Sequence, residues 1–472
     1  MLLQASFTPA PTVKPLINIG ALLDIPTGSY MEGLHGEHIL NGGLGNLTGI
    51  VGIGNNFKST VMHYQMLTAM SRMAGSSANT YDTEINIHES TLKKFASRIE
   101  AFNGEDILAN KRWVITDKTI YYANVWYQIL KDYLNEKKKN AAKIMRDTPF
   151  KDRTGKHMQM LTPTFTEIDS FSEFETEDVA EIQDKNELGD SGGNTIHMRQ
   201  GLAKLRFLME IPALFGSSFN YTILSAHIGK AIVMDTRAPP VVKLKHLKNG
   251  DQIKGATDKF TFIMNNCWHC YNATPLINDT TKGPEYPRDS DDKLKLDTDL
   301  NTVILRQLRS KSGPSGMAIE LIVSQSEGVL PSLTEFHYIK TCDRFGLNGT
   351  LQNYELDLVP GIKLSRTTVR SKIDENPKLR RSLNITAELC QMHALWHHLD
   401  EGFLCTPKEL YDSIKALGYD WELLYQTRGW WALDNDPKAT PFLSTYDLLN
   451  MRIGKYHPYW YPIKKEDLKP MK

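Results

Sequence analysis

The sequence predicts an α/β fold with a doubly wound, mainly parallel sheet, completed by a mostly helical C-terminal module. Three observations point there. Short apolar runs alternate with longer amphipathic stretches along most of the chain, which is the pattern of βαβ units. One unit is explicit: Leu47-Thr48-Gly49-Ile50-Val51-Gly52-Ile53-Gly54 is a strand running into a glycine-rich loop, and a helical stretch follows from Ser59 to about Met73. Composition agrees, since 472 residues with 41% hydrophobic and 23% charged side chains suit a globular chain of two or three domains at ~150 residues each. Disordered, collagen-like, coiled-coil and disulfide-scaffold proteins are excluded.

Residues 1–36 form a lead-in; four prolines and four glycines between 8 and 36 give it no period. Residues 37–335 form the core. After the first βα unit a second segment ends at Tyr81-Asp82-Thr83-Glu84. Thr119–Tyr133 reads as an aromatic-rich amphipathic helix, with Glu136-Lys137-Lys138-Lys139 as a solvated end beyond it. Pro163–Ser170 is a short strand. Glu167 to Asp190 then carries ten acidic residues against one lysine, too many charges to bury. A helix from about Met198 to Ile211 leads to the strand Asn220–His227, a loop to about Lys254, and strand-like segments at Thr261–Cys267, Asn301–Leu305 and Met317–Ser324. From Phe336 the pattern turns helical and aromatic, with helices expected at Ile385–His398, Pro407–Leu417 and Trp421–Tyr425, so 336–472 is treated as a separate module.

Five cysteines, an odd number thinly spread, fit a reducing compartment better than a disulfide framework. The N-terminal residues lack the basic start and the apolar stretch of about 7–15 residues of a secretory signal, and no apolar run nears the ~18 residues of a membrane span. The expectation is a cytoplasmic protein without a membrane. Lys+Arg and Asp+Glu both number 55, and this neutrality speaks against a surface that coats nucleic acid indiscriminately.

Gly52-Ile53-Gly54-Asn55-Asn56-Phe57-Lys58-Ser59-Thr60 matches the P-loop pattern G-x-x-x-x-G-K-[ST] except at the second glycine, where Phe57 stands. That chemistry needs backbone N–H groups around phosphates at a helix N-terminus, a lysine on the β/γ-phosphates and a hydroxyl on Mg²⁺, roles that Lys58 and Ser59 fit. The plain alternative is a glycine-rich turn with an incidental lysine, and Phe57 favours it because phenylalanine lacks glycine's backbone freedom. Asp169, ending a strand, suits Mg²⁺ opposite Ser59. Glu84, ending the strand after the P-loop helix, suits a base for the attacking water. Each carboxylate alone would read as a surface residue; their order and spacing after the loop give them weight. ATP and Mg²⁺ are the expected cofactors.

Lys58 and Glu84, Asp169, Leu188-Gly189-Asp190-Ser191 before a helix, and a strand ending at His227 before a long loop together resemble the core of RecA-type recombinases over about residues 37–335. Within that superfamily the resemblance is strongest to the recombinases of T4-type phages, which share the phenylalanine at the second glycine position, the acidic strand end and the histidine. The resemblance implies a RecA-like P-loop core and a DNA-dependent ATPase that forms filaments on single-stranded DNA and pairs it with homologous duplex DNA, alongside a loader and a single-strand-binding protein. It implies that His227 senses the γ-phosphate and that Arg309 and Lys311 reach a neighbouring subunit's nucleotide, although an Arg-x-Lys at a strand end is by itself an ordinary solvated pair.

The resemblance also implies two DNA-binding loops. The second spans Ile228 to about Lys254 and holds Lys230, Arg237, Lys243, Lys245, Lys248 and Lys254 against Asp235 and Asp251, with Ile232, Val233 and Met234 interleaved. Such a loop would hold phosphates without sequence preference. The first lies near Lys185–Arg199, with Lys185, Asn194, His197 and Arg199 as contacts. A RecA-fold hexameric helicase shares the site logic, but such helicases usually carry a large N-terminal domain and this loop starts at residue 52. A DNA-coating filament protein with weak ATPase is the other alternative. Neutrality overall then averages a basic loop and an acidic stretch.

Three further patterns read as ordinary structure. Cys267-Trp268-His269-Cys270 is half a zinc motif without its second half. Cys390, His393 and His397 share a helical face but lack a fourth ligand. Phe7-Thr8-Pro9-Ala10 resembles a subunit-docking plug, and four residues match easily by chance.

Overall fold

The computed structural model describes residues 14–185, 193–230, 245–248, 250–256, 259–288, 297–350, 352–400, 402–434 and 439–469. Ten strands make the central sheet: β1 (Leu47–Gly52), β2 (Ser77–Asp82), β3 (Trp113–Asp117), β4 (Thr164–Asp169), β5 (Asn220–Lys230), β6 (Asp251–Ile253), β7 (Asn266–Pro275), β8 (Leu300–Ser310), β9 (Ala318–Ser324) and β10 (Gly328–Val329). Their order is β10-β9-β8-β7-β1-β5-β4-β2-β3, with β6 paired to β5. The run from β7 to β3 is parallel, while β8, β9, β10 and β6 add antiparallel pairings. The expected α/β architecture with a mainly parallel sheet is therefore present.

β1 is buried at every position, as a parallel strand covered on both faces must be. Its side chains alternate accordingly. Leu47 and Val51 join an apolar cluster with Tyr81, Leu224 and Phe207, whereas Ile50 joins a larger one with Phe165 and Ile223. The larger cluster covers the face of α1 (Lys58–Arg72) and α2 (Glu89–Ser97). The smaller covers the face of α3 (Ala123–Lys139) and α5 (Gly193–Ser218), which pack through Tyr127 and Phe207 with ring centroids 4.8 Å apart. The acidic α4 (Glu177–Lys185) precedes α5, a 26-residue helix that accommodates Pro212.

Several elements differ from expectation. The helix read as Thr119–Tyr133 runs from Ala123 to Lys139, so the lysine run is its last turn. Lys137 is buried there, its Nζ donating to Thr164 Oγ1 at 3.0 Å, and burial pushes its pKa down to about 7; the solvated-end reading fails for that residue. Lys259–Ile263 is a short helix rather than strand, and the strand begins at Asn266.

Ile17, Leu23 and Ile25 of the lead-in are buried in the larger cluster. The same cluster takes in α6 (Pro331–Thr341) and α7 (Pro377–Leu395), so the helices beyond residue 336 share a core with α1. α7 starts where its sequence dictates, with Pro377 in the first turn and Asn376 accepting from the Leu379 N–H. Leu433 pairs with Met73, and Trp431 Nε1 donates to the Leu16 carbonyl. Trp421, Tyr425, Trp431 and Tyr461 are buried, so these aromatics pack the module. Among the described residues no helix is long and apolar enough to cross a membrane.

Candidate functional site

Parallel strands bring their carboxyl ends to one edge, and loops leaving that edge where the strand order reverses make a crevice. Here Gly52 at the end of β1 lies in register with His227 of β5 on one side and Cys270 of β7 on the other, and Asp82 of β2 pairs with Asp169 of β4. The edge therefore gathers the glycine-rich loop, Asp169, Glu84 and His227, which lie far apart in the sequence.

The loop is tight. A Cβ on Gly52 would stand 2.5 Å from the Cys270 carbonyl oxygen, so only glycine fits there. Asn56 Nδ2 donates to that same oxygen at 3.1 Å. Phe57 caps α1 in the left-handed region, at φ 57° and ψ 24°; the missing second glycine is thus replaced by a residue that adopts glycine's conformation at a cost. The buried Lys58 folds back so that its Nζ donates to the Ile53 carbonyl at 2.9 Å. Gly54 has open space around it, and Thr60 follows Ser59 in the first turn of α1.

Ser59 Oγ donates to Asp169 Oδ2 at 2.5 Å, and Ser225 Oγ donates to Oδ1 at 2.5 Å. A hydroxyl and a carboxylate side by side are hard oxygen donors, the set that suits Mg²⁺. One helical turn further on, His63 Nδ1 lies 3.1 Å from Glu167 Oε2, which also accepts from Thr80 Oγ1 at 3.0 Å. Trp113 Nε1 donates to that threonine at 2.7 Å. Two rungs thus tie α1 to β4, the second of them buried. Burial alone would push the His63 pKa down, but Glu167, with Asp169 and Asp82, carries it above its ordinary value.

Glu84 sits just past β2, in a turn built by Asp82, whose carboxylate accepts the N–H groups of Glu84, Asn86 and Ile87 at 2.9–3.1 Å. The turns after β2 and β4 are stitched by Thr83, which accepts from the Ser170 N–H at 2.7 Å and donates to the Ser170 carbonyl at 2.8 Å. Glu84 Oε1 lies 2.6 Å from His227 Nε2. That hydrogen bond, helped by Ser170 and the charge of Lys58 against the opposing effect of burial, lowers the Glu84 carboxyl to about 2. Glu84 is therefore ionised at neutral pH.

β5 continues past His227 to Lys230 and turns back through β6, with Asp251 opposite Lys230. The base of this hairpin is pinned to the turn after β4. Ser172 Oγ accepts from the His227 N–H and donates to the Lys254 carbonyl, and Lys204 of α5 donates to the Ser172 carbonyl at 2.5 Å. The strand that carries His227 thus leads straight into the basic segment. Lys245 and Lys248 are exposed, whereas Lys230 is paired with Asp251. Lys185 lies at the end of α4, 3.5 Å from Glu181, and Arg199 is exposed on α5. Arg237 and Lys243 lie outside the described residues, as do Leu188–Ser191, Ile232–Met234 and Phe7–Ala10; the side chains of Asn194 and His197 are likewise not described.

Arg309 and Lys311 are not brought to the loop. They lie at the opposite edge of the sheet, Arg309 in register with Cys267 near the start of β7 and stacked over Phe262 at 5.4 Å. Lys311 Nζ donates to the Ile263 carbonyl at 2.9 Å. Cys267 and Cys270 are buried in β7, and burial pushes both thiols up to about 12. His393 Nε2 lies 3.1 Å from the Cys405 carbonyl. Among the described residues no group of three His, Cys, Asp or Glu side chains stands in metal-binding geometry.

His63, Glu167, Ser225, Asp82 and Thr83 were not singled out from sequence. Periodicity held part of the signal, since His63 is four residues from Ser59 on a helix and Glu167 two from Asp169 on a strand, each on the same face as its partner. No protein-family model matches the chain, and a search of curated proteins returns no match.

Proposed function

We propose that this chain is a Mg²⁺-dependent DNA-stimulated ATPase of the RecA type that assembles on single-stranded DNA and exchanges strands with a homologous duplex. The single observation that carries this is the junction at the sheet edge, where Glu84 bonds His227 on the strand that leads into a basic hairpin, beside Lys58, Ser59 and Asp169. In this proposal the N–H groups of the loop and Lys58 hold the triphosphate at the start of α1. Ser59 and Asp169 would hold Mg²⁺, which when bound would supply positive charge to offset that of the triphosphate. Glu84, ionised, orients the attacking water and takes its proton. His227 competes for the same carboxylate, so occupancy of the γ-phosphate position and the seating of the hairpin on DNA become linked through one hydrogen bond. In this proposal Arg309 and Lys311, at the far edge, serve an adjacent copy in a filament rather than their own loop.

The test is ATP hydrolysis with and without single-stranded DNA, followed by strand exchange against unwinding of a tailed duplex. Stimulated hydrolysis with strand exchange supports the proposal. Unwinding without exchange would assign a helicase, and DNA binding without stimulation a coating protein.

A further inference from the structure

A β-hairpin is inserted between α3 and β4, with Met145–Lys151 paired antiparallel to His157–Leu161. It lies at the amino edge of the central sheet, where α3 ends and β4 begins, and so at the opposite end from the hairpin that follows His227. One side of it is fixed to the core. Phe150, Met158 and Met160 are buried, the Phe150 ring meets Trp431 with centroids 5.1 Å apart, and Thr148 Oγ1 donates to the Met158 carbonyl at 2.7 Å.

The exposed remainder is cationic. Residues 138–161 carry seven Lys and Arg side chains against Asp147 and Asp152. Both carboxylates are engaged locally: Asp152 accepts the Thr154 and Lys156 N–H groups at 2.7 and 3.0 Å, and Asp147 accepts from Gln159 Nε2 at 3.0 Å. Lys139 leans on Glu136 at 3.6 Å and Lys151 on Glu32 at 2.6 Å. Among the described residues Lys138, Lys143, Arg146, Arg153 and Lys156 make no ion pair, and Lys143, Arg153 and Lys156 are exposed. Like charges gathered without counter-charges repel one another, and a polyanion relieves that repulsion.

The composition of the surface separates the kinds of polyanion. Met145 is the exposed large apolar side chain of this stretch, and one exposed tyrosine, Tyr133 on α3, lies beside Lys138 and Lys139. Protein interfaces have an apolar, aromatic core and few lysines, membrane-surface segments bury an apolar face, and single strands are held by rows of stacking aromatics. A duplex offers its phosphates alone, one charge per ~1.7 Å of axis. The strand from Met145 to Lys151 sets the cations at the tip of the hairpin ~20 Å from those at its base, at ~3.3 Å per residue. That span faces about a dozen phosphates.

We infer that this hairpin, with the end of α3, is a binding surface for the phosphate backbone of double-stranded DNA, without preference for sequence. Rigid docking of its inner side on the core holds the cations in place before the duplex arrives. The inference does not depend on the function proposed above.

The experiment is fluorescence anisotropy of the full chain, without nucleotide, on a labelled DNA duplex and on a single strand of the same length, across a salt series. The triple variant Lys143→Ala, Arg153→Ala, Lys156→Ala should bind the duplex at least ~10-fold more weakly at ~0.1 M salt, with a smaller loss on the single strand. Its slope of log K against log salt should fall by ~2–3, about 0.9 per phosphate contact removed. The charge-conserving set Lys143→Arg, Arg153→Lys, Lys156→Arg should keep both affinity and slope. Melting curves verify that each variant is folded. Duplex affinity and slope unchanged in the alanine variant, an equal loss on the single strand, the same loss in the charge-conserving set, or failure of the parent to bind the duplex at ~50 mM salt would each overturn the inference.

Discussion

Phe57 is where the chain departs most visibly from the ordinary phosphate-loop pattern, and its backbone makes a quantitative prediction. At φ 57° it occupies the left-handed region, which costs a residue with a Cβ ~1–2 kcal/mol and glycine almost nothing. Glycine brings its own cost through the unfolded state, ~0.5–1 kcal/mol relative to alanine. The ring is half-buried against the larger apolar cluster, so truncating it loses packing whatever replaces it. Comparing Phe57→Gly with Phe57→Ala cancels that loss and isolates the backbone. The glycine variant should be the more stable by ~0.5–1 kcal/mol; the alanine variant should fall below the parent by ~1–2 kcal/mol for the lost burial, and the glycine variant by correspondingly less. Urea unfolding followed by circular dichroism reads this as a midpoint shift of a few tenths molar at unchanged slope. An alanine variant as stable as the glycine variant would refute the left-handed cap.

Glu84→Gln should bind nucleotide and DNA like the parent while hydrolysis falls ~10²–10⁴-fold; normal turnover would remove Glu84 as the base. Because the Glu84 carboxyl is depressed to about 2, its contribution to stability is complete above its ordinary value near 4.5 and is lost as pH falls toward 2. The stability difference between parent and Glu84→Gln should therefore stay constant from pH 7 to 5 and shrink below that, and a difference that grows on acidification would contradict the bond to His227. His63→Leu should cost ~10-fold or more in the Mg²⁺ dependence of nucleotide binding, with His63→Asn, which keeps a donor near the Nδ1 position, within a few-fold of the parent; equal losses would reduce His63 to packing. Lys137→Met should raise stability by ~1–2 kcal/mol at pH 7. Burial lowers the pKa of this amine to about 7, so the parent gains stability as pH climbs from 7 toward 10; a variant that keeps this gain would show that Lys137 is not its source.

The parallel sheet was legible because β1 and β5 are largely apolar runs and the first loop is glycine-rich, and Lys58, Glu84, Asp169 and His227 come together because all four leave the same edge of that sheet. The second rung was not legible. Helical period places His63 on the face of Ser59, but nothing local says that this face meets β4, where Glu167 waits two residues before Asp169. Lys137 shows the opposite failure: it extends the buried stripe of Ala123, Trp126, Leu130 and Leu134, and the neighbouring lysines hid that period behind a run of charge. The C-terminal aromatics carried no periodic signal because short helices and turns, rather than one long amphipathic element, bury them.

The central claim is that this sheet edge couples ATP to assembly on single-stranded DNA, and electron microscopy of the full chain with single-stranded DNA and a non-hydrolysable ATP analogue tests it most directly. The account predicts extended helical filaments that require both ligands and shorten or vanish when the nucleotide is withheld. Closed rings, or filaments indifferent to nucleotide, would contradict it.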